Sequence, residues 1–160
     1  MLYAAMQMIA GKADARGRRF SDLLNEPMTA YVSVSDAILY DLLSNGEPSA
    51  RMGLVTLRKD AVQLAMPSDP LDIFRPRIPT EQLAIEVATS FFRVRGSLNR
   101  RATDPTNLEQ LLSGHSRKFV ALSNATIRCL ANPQFDFEAS TVLLNTEHVH
   151  CWWTVASESC

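Results

Sequence analysis

The chain lacks any long uncharged apolar run, so nothing in it is suited to span a membrane as a helix. It lacks an excess of either charge: 16 basic against 17 acidic residues leave a net charge of −1. That removes the simplest argument for nucleic acid or an anionic membrane as partner. Cysteine is scarce, and the three present (Cys129, Cys151 and Cys160) are too scattered for a disulfide framework. The opening residues, MLYAAMQMIAGKADARGRR, have no basic stretch ahead of their apolar one and no clear cleavage site. No signal peptide is read, so the thiols are expected reduced in a bacterial-type cytoplasm. Also missing are a G-x-G-x-x-G or Walker loop, an H-E-x-x-H helix, paired C-x-x-C motifs and a nucleophile elbow, so no cofactor is expected. Lysine is rare, at 3 residues against 13 arginines. Arginine suits planar, multi-donor pairing within or between chains, although an Arg-rich genome gives the same bias.

What is present is ordinary globular material: 160 residues, 46% hydrophobic and 21% charged, enough for one domain or two very small ones. The chain repeats itself. Placed at a shift of 88, residues 19–42 lie over 107–130, so that Leu23 meets Leu111, Leu24 meets Leu112, Val32 meets Val120, Val34 meets Leu122, Ala37 meets Ala125 and Leu42 meets Leu130. Residues 55–66 lie over 142–153 at a shift of 87, and 9–11 over 94–96 at a shift of 85. Three segments matching in the same order point to a tandem duplication. The expected division is repeat 1 over 1–66, a semi-rigid connector over 67–81 holding Pro67, Pro70, Pro76 and Pro79, and repeat 2 over 82–160.

Each repeat reads as one string. A first strand carries a glycine bend, Gly11 or Gly96, where a side-chain-free residue eases a sharp turn of the sheet. A loop with paired arginines follows (Arg18 and Arg19; Arg100 and Arg101), then a short helix (Ser21–Asn25; Asp104–Ser113, with Asp104 as N-cap and Pro105 at the first helical position). A second strand alternates Tyr31/Ser33/Ser35 against Val32/Val34, and Phe119/Ala121/Ser123 against Val120/Leu122. A hairpin closes each repeat, turning at Arg58-Lys59-Asp60 and at Asn145-Thr146-Glu147. The expected fold is mainly β with short helices (α+β): two copies of a small bent-sheet or barrel unit, related by a pseudo-twofold axis. At about 70 residues each copy has a marginal core of its own, and the pattern leaves open whether the copies share one.

The helix motif Phe20-Ser21-Asp22-Leu23-Leu24-Asn25 and the strand Tyr31-Val32-Ser33-Val34-Ser35-Asp36-Ala37, preceded by the glycine strand, resemble small bacterial β-rich domains of uncharacterised function. The second copy has drifted to Leu108-Glu109-Gln110-Leu111-Leu112-Ser113 and Ser123-Asn124-Ala125. This resemblance implies a fold and no activity. At fold level, Leu54–Leu64 and Tyr31–Ala37 resemble the closing strands and central strand of Sm-like small barrels, with the difference that the helix here interrupts the sheet.

Four groups are candidates for function. His148 and His150, if on one strand face, are weak candidate metal ligands, with a solvent-facing row as the plainer reading. Arg93, Arg95, Arg100 and Arg101, beside Phe91 and Phe92, are the candidate contacts for single-stranded nucleic acid, set against a self-paired charged face. Trp152, with His148 and His150, is the candidate interface, while Val149, Cys151 and Trp153 are expected on the core face. Cys129 or Cys160 near His115, and the serines flanking that histidine, carry no nucleophile motif; Asp22 and Asp36, amides in the second copy, suit caps and turns. The leading reading is a non-enzymatic binding or assembly module with a protein partner or itself. The alternatives are a single-strand nucleic-acid binder, then an enzyme with a site in one copy.

Overall fold

In the computed structural model, which describes residues 1–4, 6–15, 17–68, 80–101, 109–110 and 117–155, alternation decides the longest strands. Within β3 (Tyr31–Asp41), Val32 and Val34 are buried while Tyr31 and Ser33 face water. Past Asp36 the pattern resumes one residue out of phase, with Ala37 and Leu39 buried. Asp36 takes φ 50, and Asn124 takes φ 50 at the matching place in β8 (Phe119–Cys129). Asp and Asn tolerate this left-handed region better than most residues, which lets the strand change its facing.

Opposite the same stretch, the ladder slips between Ala10 and Lys12 of β2 (Gln7–Ala13), and between Arg95 and Ser97 of β7 (Phe92–Arg101). The residues passed over are Gly11 and Gly96. A Cβ on Gly11 would stand 2.5 Å from Val34 Cγ1 and 2.7 Å from the Ser35 carbonyl, so the two backbones approach only because the side chain is missing.

The remaining strands are β1 (Leu2–Ala4), β4 (Pro48–Arg58), β5 (Val62–Ala65), β6 (Thr80–Ala88), β9 (Phe137–Asn145) and β10 (Cys151–Thr154). All ten form one antiparallel sheet in the order β10-β6-β7-β8-β9-β5-β1-β2-β3-β4. The first five therefore run β5-β1-β2-β3-β4 and the last five β10-β6-β7-β8-β9, the same order element for element. The fold is mainly β, with the short helix α1 (Phe20–Asn25) between β2 and β3. In the second half the expected helix Asp104–Ser113 lies outside the described residues except Glu109 and Gln110, which are helical.

Three expectations are corrected. The sheet does not close into a barrel; it ends at β4 and β10. The halves meet through β5 and β9 and follow one another along the sheet in the same strand order, whereas a twofold axis at the junction would reverse the order of one half. Their relation is head to tail. Nor are the closing segments hairpins: a one-turn 3-10 corner, Lys59–Ala61 or Thr146–His148, carries the chain away from β4 or β9. Strand β5 then pairs with β1 and β9, and β10 pairs with β6.

Two core clusters form, and neither belongs to one half. The first gathers Ile85, Val87, Phe92, Val94, Leu122 and Ile127 of the second half with Tyr3, Leu64 and Met66 of the first. The second gathers Leu2, Ile9, Leu24, Val32 and Val34 with Phe119 and Leu143. Tyr3 sits edge-on to Phe92 at 5.1 Å between ring centres, so an aromatic contact also crosses the halves. Each fully buried Leu or Val contributes roughly 1.5–3 kcal/mol, so the shared packing is what makes 70-residue halves viable.

Candidate interaction surface at the sheet edges

The junction of β5 with β9 is short and well sealed. Leu64 stands opposite Leu144, and Ala65 opposite Leu143. Buried Asn145 donates through Nδ2 to the Val62 carbonyl at 2.8 Å. Asn25, at the end of α1, brackets the backbone of Phe119: its Nδ2 donates to the carbonyl at 2.9 Å, and its Oδ1 accepts from the N–H at 2.8 Å. The amide thus completes hydrogen bonds that the start of β8 would otherwise lack.

The ladders give a residue-by-residue correspondence between the halves. Leu2 pairs with Ala65 as Val87 pairs with Trp152. Tyr3 pairs with Leu64 as Ala88 pairs with Cys151, and Val32 pairs with Leu57 as Val120 pairs with Leu144. Corresponding residues differ sharply in exposure wherever one of them lies at the junction. Tyr31 is 55% exposed, and its counterpart Phe119 2%. Leu54 is 64% exposed against 4% for Thr141, and Trp153 37% against 6% for Met66. Leu130 is exposed while Leu42 is fully buried, and exposed Cys151 matches buried Leu64. At one end of the sheet stand Leu54 and Thr56 on β4, with Tyr31 on the neighbouring β3; at the other stand Cys151 and Trp153 on β10, and exposed Leu130 lies just past the end of β8.

This overturns the expected facing of β10. Trp152 lies opposite Val87 on the core side, yet 36% exposed, and Trp153 opposite Glu86 on the outer side, 37% exposed. The correspondence of Cys151 and Trp153 with Leu64 and Met66 holds, but Leu64 and Met66 are buried by the other half and not by their own. Among the described residues strand β10 has no such neighbour.

The histidines do not form a row on a strand. His148 ends a 3-10 turn with Nε2 2.6 Å from the Asp60 carbonyl, and His150 Nε2 lies 2.8 Å from Ser90 Oγ. Among the described residues no three His, Cys, Asp or Glu side chains gather as a metal set would require. Arg93 and Arg95 share the outer face of β7, as alternation requires. Arg93 lies 3.5 Å from Glu86 and its guanidinium sits 5.8 Å over the Trp153 ring, while Arg100 pairs with Glu81. Of Arg101 only the backbone is described, and His115 and Cys160 lie outside the described residues.

At the corner after β4, Arg58 hydrogen-bonds Asp60 and holds its carboxyl below the usual range. Next to it Lys59, pulled down by burial, donates to the Glu26 carbonyl at 3.0 Å and to Thr29 Oγ1 at 2.9 Å. Burial, then the charge of Cys129, pushes the Tyr3 hydroxyl well above its ordinary value. These groups are built into turns and core. Among the described residues no helix is long and apolar enough to cross a membrane. No protein-family model, curated protein or solved structure matches the chain.

Proposed function

We propose that the chain is a non-enzymatic binding or assembly module, made by tandem duplication of one β-rich unit, that engages protein through the free edges β4 and β10 and the outer faces beside them. One observation carries this reading: apolar residues exposed at the two ends correspond to residues buried at the junction in the middle. An unpaired strand edge offers a row of backbone donors and acceptors, and an apolar face beside it adds the area that makes pairing favourable. The nucleic-acid alternative has less support, because Arg93 and Arg100 each already face a carboxylate.

The test is site-specific photo-crosslinking in cells producing the protein. A benzophenone side chain placed at Leu54 or at Trp153 is expected to give discrete protein adducts, identified by mass spectrometry. The same group at Glu138, exposed on β9 in the middle of the sheet, is expected to give none. Absence of adducts at both edges would contradict the reading.

A further inference from the structure

The junction inside the chain is a template for a contact between chains. It joins the last strand of one half to the fourth strand of the other, β5 to β9. Among the described residues the same two ranks are left without a partner at the ends of the sheet: β10, the last strand of the second half, and β4, the fourth strand of the first. We infer that the partner of each edge is a second copy of this chain, with β10 of one copy pairing antiparallel to β4 of the next. This rests on the reading of the edges as docking surfaces and names their occupant.

The template fixes the register. Leu64 stands opposite Leu144, and these correspond to Cys151 and Leu57, so Cys151 of one copy meets Leu57 of the next. One rung along, Trp152 meets Thr56, as Ala65 meets Leu143. The faces also match. At the internal junction Met66 enters the core of the second half, and Leu143 and Phe119 enter the core of the first. Between copies Trp153 takes the place of Met66, and Thr56 and Tyr31 take those of Leu143 and Phe119. Exposed Leu54 adds apolar area where the internal junction has Thr141. On the rung where Ala65 faces Leu143 inside the chain, Trp152 carries more bulk than Ala65 and Thr56 less than Leu143, a large-for-small exchange of the kind that preserves packed volume.

Because the two surfaces differ, the contact is heterologous. Each copy offers one of each, so assembly proceeds beyond a dimer until it closes into a ring, and if the rotation does not close it runs on as a filament.

Directly opposed residues on antiparallel strands have Cα atoms roughly 4.5–5.5 Å apart, within disulfide reach. The experiment is therefore Leu57→Cys with native Cys151, in a Cys160→Ser background, under mild oxidation. The expected product is a ladder of covalent multimers that collapses to the single chain when Cys151→Ser is added. Thr56→Cys with Trp152→Cys, in a Cys151→Ser and Cys160→Ser background, reads the neighbouring rung and keeps the test open if the first pair disturbs the fold. Two results overturn the inference: a chain that stays monomeric by light scattering at its highest soluble concentration, or linkage only between identical positions. Photo-adducts of both edges with some other protein, alongside a monomeric chain, would leave the docking reading standing and remove this one.

Discussion

Leu64 stands opposite Leu144 across the β5–β9 pair, and both side chains are buried in the same cluster although they come from different halves of the chain. The consequence is thermodynamic. Truncating Leu144 to Ala should cost about 2–5 kcal/mol, the range for a buried Leu whose surroundings relax only in part. Both halves should lose structure together. Denaturant unfolding followed by tryptophan fluorescence, which reports the second half, and by backbone circular dichroism should give coincident transitions in wild type and variant. Two resolved transitions would mean that the halves fold as separate units.

Gly11 and Gly96 pass the same bulge with different clearances. A Cβ at Gly11 meets Val34 at 2.5 Å and a backbone carbonyl at 2.7 Å, whereas at Gly96 the nearest atoms lie at 3.2 Å. Gly11→Ala should therefore destabilise by about 1–3 kcal/mol, as overpacking does, and Gly96→Ala by clearly less. Urea midpoints of the two variants check the ranking, and equal losses would contradict it.

The Arg58–Asp60 pair gives a pH dependence of known sign. Its hydrogen bond holds the Asp60 carboxyl below the ordinary value of 3.8 in the folded state. The stabilisation is then present above that value and lost as the pH falls through the lowered one. The pair is exposed, so the effect is small. Asp60→Asn should lower the urea midpoint at neutral pH and leave it unchanged at the acid end, where wild type has lost the same interaction. A gap that widens in acid would reverse the assignment.

Much of the fold was legible because the signals were local. Alternation at Val32 and Val34 locates β3, Gly11 and Gly96 mark the bulges, and Ser21–Asn25 reads as a helix that the structure begins one residue earlier, at Phe20. The matched segments led to two halves with one strand order. What the sequence concealed is where burial comes from. Leu64 and Met66 look like core residues of their own unit, and Cys151 and Trp153 inherit that assignment by correspondence. The partner that buries Leu64 and Met66 is β9, some eighty residues away, and no local pattern announces it. The 3-10 corner at Lys59–Ala61 resembles a hairpin turn in sequence for a similar reason: a tight turn between two apolar runs says the chain reverses, and does not say which strand the second run joins. Leu54 and Tyr31 went unnoticed as surface candidates because single apolar residues on a polar face are common. Their meaning came only from their buried counterparts.

The head-to-tail account makes a demand that no symmetric contact meets. A chain with Leu54→Arg and Thr56→Arg has a blocked β4 face and an intact β10; a chain with Cys151→Arg and Trp153→Arg has the converse. All four positions are exposed, so both chains should fold. Sedimentation velocity should show each variant alone as a monomer and an equimolar mixture as a heterodimer that grows no further, while wild type assembles into larger species. If either variant dimerises with itself, or the mixture stays monomeric while wild type assembles, the β4–β10 contact is not the one that joins the copies.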